Sequence, residues 1–498
     1  MTEPCDLTAL EARRLIGRKA LSPVELLESC LARIEAVNPA INAMVALDTD
    51  RARAAAKQAE AAVMRGEELG LLHGLPVGIK DLEETAGLRT TYGSPIFKDF
   101  VPDQDCGMVA RIRAAGGIVI GKTNTPEFGA GANTRNAVYG ATGNPFDPTR
   151  SAAGSSGGSA AALATGMAPL CSGSDTGGSL RNPAAYCGIV GYRPSGGLVP
   201  SEKRGHGWSN LPVLGPMARN VPDTALLLAA MASDDARDPL AYTLHGQQAR
   251  GRPELYHPLR KPDLATLRLA YSDDFGQAPT ESIVREAFRK VVAACRPLFR
   301  ESAEAHPDCT GGDEAFEVLR AAGFLASHLE KVRTRPHDVG PNVRANVEEG
   351  LRYTLEDYAR AATRQTAIYR NFQRFFAEHD VLITPAITVS PRPWRELYPA
   401  EIDGKPTRTY FHWLALAYYV TLTGHPAVCL PVGRDSRGMP FGLQIVGPRG
   451  GDAFVLAVAA ALEEAFAADP ALRRPEPDLA ALKAAPPISG MEGFLGFD

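Results

Sequence analysis

Two serine- and glycine-rich segments and one lysine carry residue types suited to nucleophilic chemistry. Gly154-Ser155-Ser156-Gly157-Gly158-Ser159 and Asp175-Thr176-Gly177-Gly178-Ser179-Leu180-Arg181-Asn182-Pro183 place serines among glycines, and Gly78-Ile79-Lys80-Asp81 supplies the lysine. A serine hydroxyl is a weak nucleophile and needs a base within hydrogen-bond reach. No histidine stands in these segments, so a neutral lysine is the available base. With an ordinary pKa of about 10.4, only about one lysine in a thousand is neutral near pH 7.5, a penalty of about 4 kcal/mol. Burial beside Ile79 and small Gly and Ser residues lowers that penalty. Taken singly, these residue types have commoner uses: a lysine in a surface ion pair, a serine in a turn, a serine capping a helix. Along the chain, Ser155 stands 75 residues after Lys80 and Ser179 24 residues after Ser155.

Two other strings match known motifs but lack the context their chemistry requires. Gly116-Gly117-Ile118-Val119-Ile120-Gly121-Lys122-Thr123 fits the phosphate-loop pattern GxxxxGK[ST]. That mechanism needs a flexible loop running into a helix, whereas Ile-Val-Ile is β-branched and Asn124-Thr125-Pro126 obstructs a helix. Gly154-Ser155-Ser156-Gly157-Gly158 fits the nucleophile-elbow pattern GxSxG around Ser156. An elbow needs a strand directly before the serine, and Pro148-Thr149-Arg150-Ser151-Ala152-Ala153 makes a poor one.

The residues that remain resemble the amidase signature family of serine hydrolases. The resemblance rests on Lys80, on the stretch from Gly154 through Ala184, on Gly121-Lys122-Thr123-Asn124, and on Gly424-His425-Pro426-Ala427 and Pro440-Phe441-Gly442-Leu443-Gln444. It covers roughly Ser22–Leu240 and Val381–Ala468. It implies Ser179 as nucleophile, Ser155 as a bridging serine after a cis peptide at Gly154–Ser155, and Lys80 as base. The backbone amides of Thr176, Gly177, Gly178 and Ser179 would form the oxyanion hole, and Gly129 and Ala130 would face the scissile amide. One departure is Ala153, where the family's loop usually has glycine; alanine fits unless that position needs a positive φ. Asp175 and Arg181 match family positions and read mainly as loop structure.

The activity the resemblance implies is hydrolysis of the carbon-nitrogen bond of a small aryl or apolar amide through a serine acyl-enzyme, with esters or carbamates as further candidates. Two alternatives stand beside it: the catalytic subunit of a tRNA-dependent amidotransferase, and a non-catalytic binding protein keeping the fold. Pro200-Ser201-Glu202-Lys203-Arg204-Gly205-His206-Gly207-Trp208 resembles stand-alone amidases better than the amidotransferase branch, and all three catalytic types stand at family spacing. The membrane-bound fatty-amide branch is disfavoured for want of an N-terminal anchor. Substrate choice falls to the variable segments around 200–210, 320–350 and 390–415. His206 and Trp208 read as a surface loop or as pocket lining, and Trp394, Tyr410, Phe411 and Trp413 as an apolar pocket or equally as core.

These residues need a scaffold, and the patterning predicts an α/β fold. Short apolar runs at Leu75–Ile79, Gly117–Ile120, Ala168–Cys171, Val381–Thr384, Ala427–Pro431 and Gly442–Val446 alternate with helical stretches such as Val109–Ala115 and Ser159–Thr165. That is the pattern of a sheet covered on both faces. With the resemblance, the expectation is an amidase-signature fold: a large mixed twisted sheet covered by helices, with a mostly helical inserted segment. Four regions are expected: a helical entry at 1–70, the signature core at 71–240, a mostly helical insertion shaping the pocket at 241–378, and the rest of the sheet with closing helices at 379–498. Within the entry, Ser22-Pro23-Val24-Glu25 reads as a capping box opening a helix to about Val37, and a second helix covers roughly Asp50–Arg65.

Composition sets the remaining bounds. The 498 residues are 45% hydrophobic with a formal net charge of −4, which excludes a disordered chain. The 53 basic and 57 acidic residues offer no global field for nucleic acid, and no apolar run is long enough to span a bilayer. Eight cysteines without a CxxC pair, and no HExxH, give no support to a disulfide framework or a metal site. The expectation is a cytoplasmic monomer or homodimer acting on a small-molecule amide, with no metal, cofactor, nucleic-acid or membrane partner. Eighteen of the 48 glycines fall between Gly116 and Gly197, the stretch that holds both candidate serines.

Overall fold

The apolar runs become strands of one sheet. A computed structural model describes residues 3–241, 243–244, 247–248 and 252–495. Its main sheet has eleven strands. In chain order they are β1 (Met44–Leu47), β2 (Pro76–Lys80), β3 (Ile118–Thr123), β4 (Leu170–Asp175), β5 (Val190–Arg193), β6 (Val213–Ala218), β7 (Arg268–Tyr271), β8 (Glu301–Glu304), β9 (Val381–Pro385), β10 (Ala427–Arg434) and β11 (Pro440–Val446). Their spatial order is β1-β3-β2-β4-β6-β5-β10-β11-β9-β7-β8. Pairing is mixed: β2 runs parallel to β3 and β4, β7 parallel to β8 and β9, and the remaining neighbours are antiparallel.

Alternate residues along the strands feed two apolar cores, one on each face, as the pleat requires. In β10, Ala427 and Cys429 join one cluster while Val428, Leu430 and Val432 join the other; Leu382 is likewise separated from Val381 and Ile383 in β9. Helices cover both faces, so the strands are buried almost throughout and read as continuous apolar runs.

Local signals place the flanking helices. Ser22 and Glu25 form the expected capping box, but the helix they open runs Pro23–Ile41 rather than stopping near Val37. Pro39 lies inside it, and the end comes at Asn42, whose φ of 50° is left-handed. The second helix spans Thr49–Arg65 and closes on Gly66 at φ 75°. Strands β6 and β8 have no clear sequence signature. β6 runs unbroken through Gly215-Pro216, residues that obscure a strand in the sequence, and a Cβ on Gly215 would stand 2.4 Å from the Tyr192 carbonyl oxygen. β8 is a polar edge strand, Glu-Ser-Ala-Glu. The region 241–378 carries the long helices Gly312–Thr334 and Leu355–Glu378, and it also supplies β7 and β8, so it is built into the sheet.

Candidate active site

Two parallel strands deliver the chemistry to one place. Lys80 is the last residue of β2 and Asp175 the last of β4, and the strands pair directly with Gly78 opposite Cys171. Only glycine fits there: a Cβ on Gly78 would lie 2.8 Å from Cys171 Sγ. The Lys80 amide also donates to Ser172 Oγ at 3.0 Å, which locks the end of β2 to β4.

Lys80 is fully buried. Its Nζ meets three hydroxyls, Ser155 Oγ at 2.7 Å and Ser156 Oγ and Ser174 Oγ each at 2.9 Å, and among the described residues it forms no ion pair. Burial pulls its pKa down to about 7, against weaker opposing pulls from Glu83 and Asp175. That difference from solution corresponds to about 5 kcal/mol of preference for the neutral amine.

The second segment positions Ser155. The Gly154–Ser155 peptide is cis, where the sequence placed it. Ala153 before it has φ 55°, so this position does require the left-handed region that glycine adopts at no cost. The Thr134 amide at 3.0 Å and the Thr134 hydroxyl at 2.7 Å both donate to the Ala153 carbonyl and hold the turn. Ser155 is 2% exposed, and a Cβ on Gly129 would stand 3.3 Å from its Oγ, so Gly129 at φ 71° lies against the Ser155 side of the Lys80 cluster. Ala130, paired with Gly129 in the sequence reading, points elsewhere: it packs with Val339 and Val343, and its carbonyl accepts from Asn342 Nδ2 at 3.1 Å.

Ser156, the centre of the GxSxG string, is fully buried and spoken for. Its Oγ accepts from Lys80 Nζ at 2.9 Å and from the Ser174 amide at 3.3 Å, and donates to the Ser174 carbonyl at 3.4 Å. It caps the Lys80 cluster from behind and precedes the helix Gly157–Ala164. The phosphate-loop string likewise resolves into strand β3, with the buried Lys122 Nζ donating to Thr85 Oγ1 at 3.1 Å.

The loop after β4 carries the third segment. Ser179 and Thr176 are half-buried, in contrast to the enclosed Ser155 and Ser156. The Ser179 carbonyl accepts from the Ser156 amide at 3.3 Å, tying the two loops together. The structure joins Lys80 to Ser155, while the Ser179 hydroxyl makes no hydrogen bond among the described residues. Catalytic hydrogen bonds are often loose before substrate arrives.

The four amides expected as oxyanion donors divide. Gly178 N–H donates to Asp175 Oδ1 at 2.9 Å, so it is already engaged and leaves the donor set. Those of Thr176, Gly177 and Ser179 have no acceptor among the described residues. Gly178 is needed for its shape, with φ 103° and an added Cβ only 2.5 Å from Ala417 Cβ and from the Asn182 amide.

Asp175 holds this loop. Fully buried, it pairs with Arg181 at 2.9 Å and Arg193 at 3.0 Å, and its two oxygens also accept from the Gly178 and Leu180 amides. Burial alone would raise its carboxyl, but the two guanidiniums override it and hold it well below the usual carboxylate range. Arg181 reaches on to Gln444 Oε1 at 2.6 Å and the Ala417 carbonyl at 2.9 Å. Ser174, within the stretch from Gly154 through Ala184, and Gln444, within Pro440–Gln444, lie in matched motifs but carry no assigned role in the sequence reading, nor does Arg193 in β5.

A cavity of about 210 Å3 opens beside the oxyanion loop, lined by Thr176 and by Phe128 next to Gly129. Its far wall comes from the helix Gly312–Thr334 and from residues 204–212, two of the variable segments singled out in the sequence. His206 lines it, whereas Trp208 is 77% exposed. Trp394 packs with Ala141 and Ile488, and Phe411 and Trp413 join the main core. A larger groove of about 960 Å3 between the helices Gly312–Thr334 and Leu355–Glu378 contains none of the catalytic residues.

A family model for amidases matches residues 25–456. The chain belongs to the amidase family. It is 36% identical over 479 residues to a subunit of the glutamyl-tRNA(Gln) amidotransferase of Picosynechococcus sp., covering 90% of this chain and 96% of that protein. It is 34% identical over 461 residues to an acylamidase of Rhodococcus erythropolis, covering 92% and 95%. The crystal structure of a bacterial aryl acylamidase of the amidase signature family superposes with a TM-score of 0.84 at 25% identity, over 97% of this chain and 99% of that one. The chain is accordingly an amidase on an amidase-signature fold, with a mixed sheet between helical layers. Among its described residues, no helix is long and apolar enough to cross a membrane.

Proposed function

We propose that this amidase hydrolyses small aryl or apolar amides through an acyl-enzyme on Ser179, with Lys80 as base acting through Ser155. The observation that carries the reading is the Lys80 amino group itself: fully buried, ringed by three hydroxyls and, among the described residues, without a carboxylate partner. A neutral amine has two N–H donors and one lone pair, which matches three hydroxyl neighbours. The lone pair is then available to accept from Ser155.

In the forward step Ser179 Oγ attacks the amide carbonyl carbon. The Ser179 proton passes to Ser155 Oγ, and the Ser155 proton passes to Lys80 Nζ. Negative charge forms on the former carbonyl oxygen, within reach of the uncommitted amides of Thr176, Gly177 and Ser179; one such donor contributes roughly 3 kcal/mol to the transition state. The C–N bond then breaks as the proton returns through Ser155 to the leaving amine. Water attacks the acyl-enzyme by the same path, regenerating Ser179. Esters and carbamates offer the same carbonyl and belong in the substrate panel.

The test is covalent. Phenylmethanesulfonyl fluoride should label Ser179, and Ser179→Ala should abolish both labelling and anilide hydrolysis. Label on Ser156 instead would contradict the assignment. The amidotransferase reading, favoured by the relative at 36% identity, is separated by expressing the chain alone. Efficient anilide turnover without a partner supports the stand-alone amidase; glutamine hydrolysis appearing only with an added partner protein supports the other.

A further inference from the structure

The cavity beside the oxyanion loop has a wall of unusual charge. Two arginines and two histidines line it, and no aspartate or glutamate does among the described residues. Arg204 is neutralised, pairing with Asp238 at 2.7 Å. Arg320 is not. It is 8% exposed, projects from the helix Gly312–Thr334, and has no carboxylate within 4 Å among the described residues. Its guanidinium donates to Asn346 Oδ1 and to the Tyr410 hydroxyl, both neutral, and lies over three rings: Phe324 at 4.4 Å, Phe411 at 4.8 Å and Tyr410 at 5.1 Å. Elsewhere in this chain the buried Arg33 meets Glu3 and Asp6, Arg181 and Arg193 share Asp175, and Arg219 donates to the Ala168, Cys5 and Leu7 carbonyls.

A buried cation without a counterion is stabilised most by an anion delivered to it in a dry site, where a guanidinium binds a carboxylate through paired hydrogen bonds. A second wall group is also unsatisfied. Among the described residues His328 Nδ1 is buried and without a partner, and its ring lies tilted against Phe128 at 4.6 Å and Phe324 at 5.3 Å between centroids. Burial, reinforced by Lys331 and Arg320, keeps that imidazole neutral, with its pKa down to about 3. It is therefore a neutral hydrogen-bonding group flanked by two aromatic faces.

We propose that Arg320 determines specificity by binding a carboxylate on the amide substrate, with Phe128, Phe324 and His328 holding the apolar segment that joins carboxylate to amide. The inference rests on the amidase reading and deepens it: the favoured substrate is an amide of a dicarboxylic acid or of an amino-carboxylate, not a neutral anilide. Thr176 and Arg320 line the same cavity, which puts the proposed carboxylate site and the oxyanion loop on one pocket.

The experiment compares matched pairs on the full chain: N-(4-nitrophenyl)glutaramate against N-(4-nitrophenyl)butanamide, and 4-acetamidobenzoate against acetanilide. In at least one pair, kcat/KM should favour the carboxylated member by tenfold or more. Arg320→Met should remove that preference, chiefly through KM, and Arg320→Lys should restore part of it. Labelling of Ser179 by phenylmethanesulfonyl fluoride, which has no carboxylate, monitors folding of each variant. Neutral members turned over as well as carboxylated ones, or Arg320→Met lowering both members of a pair equally while labelling persists, overturns the inference and leaves the amidase reading intact. Labelling without turnover of any carboxylated substrate also overturns it. No labelling and no turnover at all removes the amidase reading and this inference together.

Discussion

The two sides of the active site are built by different rules. On the side proposed as catalytic, Lys80 and Asp175 end the paired parallel strands β2 and β4 and engage, respectively, the hydroxyl of the loop residue Ser155 and the guanidiniums of Arg181 and Arg193, at 2.7–3.0 Å. The cavity wall hangs from a long helix outside the paired strand ends and keeps groups in reserve, with Arg320 lacking a carboxylate and His328 Nδ1 lacking any partner among the described residues. On the first side a paired scaffold holds the few groups left open, Ser179 Oγ and the Thr176, Gly177 and Ser179 amides, for a carbonyl common to many amides; on the second the open groups sit on the wall itself and would select one kind of substrate. Variants on the first side should therefore remove activity, and variants on the second should redirect it.

The largest effect is expected at the nucleophile and base. Ser179→Ala and Lys80→Met should each lower anilide kcat by at least about 10^3-fold, and the double variant should be little worse than either, because groups acting as a unit are not additive. An additive double variant would break the distinction by showing that the two act independently. Next comes the loop's shape. Gly178→Val places a β-branched side chain at φ 103°, with the added Cβ 2.5 Å from Ala417 and Asn182, and kcat should fall by about 10^2-fold or more as the free amides lose their aim. Asp175→Asn leaves two buried guanidiniums without their carboxylate and should destabilise the fold by about 3–5 kcal/mol in urea denaturation.

On the wall, Phe324→Ala should change KM across a substrate panel while the rate of Ser179 labelling by a small sulfonyl fluoride stays within a few-fold; equal loss of both would dissolve the contrast between the two sides. The smallest effect is expected at Ala153→Gly. Relief of a left-handed alanine at φ 55°, about 1 kcal/mol, is offset by loss of a fully buried methyl of similar magnitude. Stability should move by less than about 1 kcal/mol.

The two sides also differ in how far they can be read from the sequence. Lys80, Ser155 and Ser179 stand in short motifs because the close approach of β2 to β4, the turn at Gly154 and the kink at Gly178 each tolerate few residue types, and glycine density marks the stretch. What the motifs conceal is which amides remain free: the engagement of Gly178 by Asp175 depends on a side-chain rotamer that spacing does not encode. Ser156 and Ser174 belong to the Lys80 cluster through three-dimensional contact alone. The wall is darker still. Arg320 and His328 sit two helical turns apart on an ordinary amphipathic helix, where an arginine reads as surface charge until its surroundings are known. Trp394, Phe411 and Trp413, conspicuous in the sequence, fill the interior instead.

The central claim is that Lys80 works as a neutral base near pH 7. Its most direct test is the pH dependence of the second-order rate at which phenylmethanesulfonyl fluoride labels Ser179. Protonated Lys80 cannot accept a proton, so the rate should be low in acid, rise through about pH 7 as the amine becomes neutral, and level off above it. Lys80→Met should lower the plateau and erase the rise. A wild-type rate that climbs only near pH 10, or one that keeps its step at pH 7 in Lys80→Met, would contradict the account.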